Sequence, residues 1–250
     1  MSMKLSLAAL ALACPAFLSA QTADELVAKN LEARGGIERI KAIKTLRLTG
    51  RMQSGGFMAQ VSQISKAPNL LREEFTVQGM SQIEAVEGAT GWKISPFEGR
   101  KDPERLGEDE LRPLQEDADF YGPLVDYRSK DNKIEYLGHD TVDGDDVYRL
   151  KVTLANGDIL YYYLDPDTYL EIRTERLVFV RGSVQESMTN LGSYKQVNGV
   201  YFPFSMEVGS KQNPGDMMKI QVDKYEANMP VDNTVFTMPA PKPAAGQKEF

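Results

Sequence analysis

From Thr45 onward the chain repeats one pattern: short runs with apolar residues at every second position, broken by turn-forming residues. Leu46 and Leu48 open it, followed by Phe57, Ala59 and Val61, then Leu71, Phe75 and Val77, then Ile83 with Ala85, and Trp92 with Ile94. Gly55-Gly56, Pro68-Asn69, Gly79, Gly88 and Gly91 separate these runs. A period of two with such punctuation specifies an antiparallel meander. The pattern resumes at Ile134 and Tyr136, runs through Val147 to Leu154, turns at Asn156-Gly157 and returns over Ile159 to Leu164. Further strands are expected at Tyr169 to Arg173, around Val178 and Met188, over Val200 to Val208, and over Met218 to Val222. About ten antiparallel strands in one chain cannot lie flat with open edges, so the sheet must curl or close. A curled sheet has a concave face, and helices must cover it.

Helices are expected in two places. Thr22-Ala23-Asp24-Glu25 forms a capping box, and Leu26, Val27, Leu31 and Ala33 continue a helical stripe that Gly35-Gly36 ends. A second short helix follows over Ile37 to Ile43. Between Arg100 and Asp119 the residues are densely charged, and Pro103 and Pro113 limit this segment to a loop with one or two helical turns. Such a segment serves equally well as a lid or as a solvated excursion. The fold class is therefore α+β: a large curled antiparallel sheet with an N-terminal helix and short helices over its concave apolar face.

The start of the chain indicates where it works. Lys4, an apolar run from Leu5 to Leu18, and Leu18-Ser19-Ala20 before Gln21 have the organisation of a cleavable secretory signal peptide over residues 1–20. The run is too short for a good membrane span. Cys14, the only cysteine, lies in that leader, where Ala11-Leu12-Ala13-Cys14 faintly resembles an acylation site; the large Leu12 and the apolar residues still to come argue for cleavage instead. The processed chain would hold no thiol, hence no disulfide and no thiolate metal site. Residues 21–240 are expected to form a single domain, with a disordered Pro/Ala/Lys-rich tail over 241–250. The net charge of −7 over the full chain gives no electrostatic case for nucleic acid, and no other run suggests an integral membrane protein.

The side chains that carry catalysis are scarce. His139 is the only histidine, and no Gly-x-Ser-x-Gly elbow accompanies it. Asp140, Asp143, Asp145 and Asp146 surround Gly144 without the spacing of a calcium loop, so Asp143-Gly144 is first a hairpin turn. No phosphate-binding glycine loop occurs, and the histidine and cysteine supply fails a zinc site. The expectation is a monomer with no enzymatic activity, no cofactor and no metal.

What remains is apolar. The inward candidates are Leu46, Leu48, Phe57, Val61, Leu71, Phe75, Trp92, Ile94, Leu150, Val152, Phe202, Phe204 and Met206. On composition alone these describe a packed core first and a ligand cavity second.

A series of motifs then shifts that balance. Lys66-x-Pro68-Asn69-Leu70-Leu71 is followed by Val86-Glu87-Gly88-x-x-Gly91-Trp92-Lys93-Ile94-Ser95-Pro96-Phe97. Later come Asp165-Pro166-Asp167-Thr168-Tyr169-Leu170, then Tyr194-Lys195-Gln196-Val197-Asn198-Gly199-Val200-Tyr201-Phe202-Pro203, and finally Phe236-Thr237-Met238-Pro239. In order and spacing, from about Ala23 to Pro239, the series resembles the LolA-like outer-membrane lipoprotein-sorting proteins. The resemblance implies a half-open β-barrel whose helix-covered concave face shelters acyl chains of lipoproteins or other envelope lipids. It departs from the family at two positions: the arginine of the family's Lys-Arg-Pro-Asn turn is Ala67 here, and an aromatic position of the next strand is Glu73. Both are placed at the cavity mouth as gating positions, with Glu73 facing inward unless a bulge turns it out. The function expected is a non-enzymatic periplasmic carrier or binder of acyl chains, with a lipid or acylated lipoprotein as partner. The rival is an envelope sensor or interaction module that docks a protein partner on the same fold.

Overall fold

The computed structural model describes residues 21–180, 183–213 and 215–240. The expected signal peptide, Cys14 and the expected tail lie outside the described residues.

Two helices come first, α1 (Ala23–Ala33) and α2 (Ile37–Ala42). The Thr22 hydroxyl accepts from the Glu25 amide at 3.2 Å, and the Glu25 carboxylate accepts from the Thr22 amide at 3.0 Å, so the capping box forms. Between the helices, Gly35 is held at φ +126°, and a Cβ there would lie 2.2 Å from the carbonyl oxygen of Gly199. Only a glycine lets this turn press against the later hairpin, where the Tyr201 amide donates to the Arg34 carbonyl at 2.8 Å.

Strands follow in sequence: β1 (Thr45–Ser54), β2 (Phe57–Lys66), β3 (Leu70–Val77), β4 (Met80–Glu87), β5 (Thr90–Ser95) and β6 (Arg100–Arg105). After helix α3 (Glu108–Asp117) come β7 (Lys133–Val142), β8 (Asp145–Thr153), β9 (Ile159–Leu164), β10 (Glu171–Val180) and β11 (Ser183–Gly192). The series ends with β12 (Lys195–Val197), β13 (Val200–Phe202), β14 (Ser205–Gly209) and β15 (Met218–Ala227). Thirteen of them form one sheet in the order β6-β5-β4-β3-β2-β1-β15-β14-β11-β10-β9-β8-β7. The first and last halves of the meander meet where β1 pairs with β15, so the sheet stays open, with β6 and β7 as its edges. This is the curled α+β sheet that the strand pattern implied, in the half-open form that the family resemblance implied.

Cross-strand register separates the two faces. On the concave face Leu150 and Val152 of β8 lie fully buried with Leu160 and Leu164 under Leu26 and Val27 of α1. Leu71 of β3 and Val86 of β4 pack under Leu114 of α3 and Ala118, the residue that caps its end. Leu48, Met52, Ala59, Val61, Phe204 and Val222 form the floor between them. The β12–β13 hairpin joins this covering layer: Val200 packs with Ile40, Ile43 and Val125. The convex face of β2, β4 and β5 is covered too, by residues 228–240. There the Trp92 indole donates to the Phe236 carbonyl at 2.7 Å, Lys66 Nζ donates to the Val231 carbonyl at 2.9 Å, and Phe236 is completely buried.

The charged insertion is more ordered than its prolines suggested. Arg100 to Arg105 pairs with β5 as an edge strand, and α3 runs through Pro113. Proline there forfeits an intrahelical hydrogen bond. The contacts of Leu111, Leu114 and Ala118 with the sheet outweigh that loss.

Candidate functional site

The concave face is not filled everywhere. A cavity of about 770 Å³ lies between the sheet and α3 with its following loop. An apolar patch is built by Phe75 of β3, Met206 and Val208 of β14, Ile220 of β15 and Leu160 of β9, with the polar Gln63 of β2 and Ser187 and Thr189 of β11 also in the lining. Pairing aligns them, since Met206 sits opposite Ile220 and Val208 opposite Met218. The facing wall is polar: Arg112, Gln115, Glu116 and Asp117 come from α3, Thr174 and Arg176 from β10, and Asp119, Lys130 and Asn132 from the connection.

Charge pairs tie α3 across the opening. Arg112 forms a bidentate pair with the buried Asp158, with Nε and Nη2 each donating at 2.6 Å. Arg176 hydrogen-bonds Asp117, and its Nε lies 3.5 Å from Glu116 Oε2. Lys130 Nζ donates to Asp119 and, at 2.8 Å, to the Gly122 carbonyl. Burial raises the Glu116 pKa, and the neighbouring Asp158 adds to the shift. Burial opposes the charge of Arg176, but Asp117 and Glu116 keep it protonated. On the opposite side of α3, Lys93 of β5 donates to Glu110 at 2.7 Å.

Glu73 enters this cavity from β3. The pairing of β3 with β2 and with β4 shows no register shift, so no bulge turns it away. No hydrogen bond holds its carboxyl among the described residues. Burial, and then the carboxylates of Asp117 and Glu84, push it up to about 8, against an opposing pull from Arg176. A neutral carboxylic acid is the form such a wall favours near neutral pH.

The structure distributes the inward candidates over several places. Phe75 and Met206, with Glu73, line the cavity. Leu48, Val61 and Phe204 lie in the floor, Leu71 under α3, and Leu150 and Val152 under α1, all on the concave face but packed. Leu46 and Phe202 border a small void of about 30 Å³ beside α2. Phe57 stands at the β1–β2 turn, 47% exposed. Trp92 and Ile94 face the convex side, because Trp92 pairs with Ala85 and reaches Phe236 of the C-terminal segment. Ala67 sits in the β2–β3 turn, where its amide donates to the Lys44 carbonyl at 2.9 Å, and it does not border the cavity. That the charged groups form a wall of the cavity escaped sequence reasoning. Their trace there was the densely charged Arg100–Asp119 segment, which supplies Arg112, Gln115, Glu116, Asp117 and Asp119, whereas Thr174 and Arg176 lay on a strand whose partners were unknown.

Among the described residues no group of three or more His, Cys, Asp or Glu side chains could hold a metal ion. No described helix is long and apolar enough to cross a membrane.

No protein-family model matches the chain, and no curated protein matches it in sequence. Solved structures do. A LolA superfamily protein from Nitrosomonas europaea superposes with a TM-score of 0.59 at 14% identity, covering 87% of this chain and 98% of that one. A DUF1329 family protein from Desulfovibrio piger gives 0.60 at 13% identity, over 86% and 97%. A domain from Vibrio parahaemolyticus, named for outer membrane lipoprotein sorting, gives 0.58 at 12% identity, again over 86% and 97%. The open thirteen-stranded sheet with its helix-covered concave face is the LolA-like fold.

Proposed function

We propose that this protein is a non-enzymatic periplasmic carrier or binder of acyl-chain amphiphiles, of the lipoprotein-sorting type. One observation carries the reading: the concave face keeps a cavity of about 770 Å³ with an apolar patch on β3, β9, β14 and β15 and polar groups from α3, the loop after it and β10. That volume falls in the range of small-molecule sites, about 300–1,000 Å³. Each methylene laid on Phe75, Met206, Val208 and Ile220 leaves water with a gain of about 0.8 kcal/mol. The polar wall suits a head group, so an amphiphile fits better than a plain hydrocarbon. The similarity to a domain named for lipoprotein sorting supports the same class of cargo.

The test is direct. Organic extraction of the purified protein, followed by mass spectrometry, should recover a lipid. A fluorescent fatty-acid probe should bind at micromolar concentration, at least tenfold more weakly to a folded Phe75→Ser/Ile220→Ser variant. A protein that yields no lipid and ignores the probe would overturn the reading.

A further inference from the structure

Of the seven large hydrophobic side chains exposed among the described residues, five occupy one end of the sheet: Phe57, Met58, Met80, Phe97 and Val184. Strand direction explains the grouping. The β1–β2, β3–β4 and β10–β11 hairpins, the Pro96–Glu98 turn after β5, and the β14–β15 loop all close at this end. The remaining two, Leu137 and Tyr201, lie elsewhere, on β7 and β13.

Charge is distributed in the complementary way. Residues 52–65 and 75–83, which make the two central hairpin tips, contain no Asp, Glu, Lys or Arg, in a chain of which 26% is charged. The cations near this end are largely answered by the protein's own acids. Arg100 pairs with Glu104, Lys211 with Glu175 and Lys219 with Glu207. In a protein of net charge −7, these two tips offer no charge of their own for an anionic bilayer to repel.

The tips are also continuous with the cavity. Met52, Ala59, Val77 and Met218 lie on the concave face next to the tips. They join Phe75, Met206 and Ile220 in one contiguous apolar cluster, and the last three line the cavity. An acyl chain could follow this floor from the tips inward without crossing water.

We infer that the hairpin-tip end is a phospholipid-docking surface: Phe57, Met58, Met80, Phe97 and Val184 insert shallowly into the headgroup–acyl boundary and set the cavity floor against the bilayer. Separate tips projecting from independent hairpins suit a fluid interface, which each side chain enters singly. This inference deepens the carrier reading and rests on it for the purpose of docking, not for the docking itself. Because the two central tips carry no charge and the nearby cations are paired, binding should be as good on zwitterionic as on anionic lipid and should change little with salt.

The experiment is flotation of the purified protein with phosphatidylcholine vesicles, at low and high ionic strength. Wild-type protein should float with the vesicles at both. A Phe57→Ser/Met58→Ser/Met80→Ser variant should partition at least tenfold less while keeping its melting temperature and its binding of a soluble fatty-acid probe. A Leu137→Ser control should partition as wild type does. Wild-type protein that ignores the vesicles, or a triple variant that floats equally well, would overturn the inference. Vesicle binding with no probe binding would sink the carrier reading alone and leave the docking surface standing.

Discussion

Glu73 places an ionisable group on β3, next to the apolar part of the cavity lining. Its carboxyl stands on a regular strand beside Phe75, without a hydrogen bond, and burial with Asp117 and Glu84 raises it from an ordinary 4.5 to about 8. The folded protein therefore holds a proton that the unfolded chain releases between about pH 4.5 and 8. Folded stability contributed by this group is full below that window and is lost as pH rises through it. Glu73→Gln should remove the dependence, melting close to wild type at pH 5 and above it at pH 9. At about 2–4 °C per kcal/mol for a chain of this size, calorimetry at the two pH values resolves the difference. Affinity for an acyl probe should fall over the same window in the wild type and stay level in Glu73→Gln. A probe affinity equally pH-dependent in both proteins would show that another group controls the cavity.

One covering element on each face of the sheet can be loosened separately. Helix α3 is held by Leu114 and Ala118 on one side and by ion pairs to Asp158 and Arg176 on the other. Leu114→Ala should cost about 2–5 kcal/mol and speed release of a bound probe. Pro113→Ala gives the helix an interior backbone donor that proline lacks, so it should raise stability and slow release. Stopped-flow displacement of the probe checks both directions. On the convex face, Phe236→Ala should cost about 3–5 kcal/mol in urea unfolding, because it empties a fully buried site beside Trp92. Probe affinity should be kept in that variant, since residues 228–240 do not border the cavity.

For the whole molecule, a cargo that binds only the folded state should stabilise it by mass action. At a hundred times its dissociation constant an acyl ligand should add about 2.7 kcal/mol. Thermal melts with and without saturating probe measure this, and no shift would mean that the folded protein does not bind the probe in preference to the unfolded chain. Much of this architecture is legible residue by residue. Thr22 and Glu25 mark the first helix, Asn156-Gly157 marks the β8–β9 turn, and Leu46, Leu48, Val61, Leu71, Leu150 and Val152 alternate onto one face. Such features are local: a capping box, a turn and a period of two are each complete within a few residues. The sequence by itself determined the strands, their turns and the need for a curled sheet. Tertiary structure alone decided which apolar residues surround space and which are packed. Alternation divides a strand into two faces without saying what covers either. Trp92 and Ile94 look as inward as Leu71, yet residues 228–240 cover their side and make it a second core. The charges that complete the cavity, Arg112, Glu116, Asp117 and Arg176, meet only because curling carries β10 round to α3, a distance that no local pattern encodes.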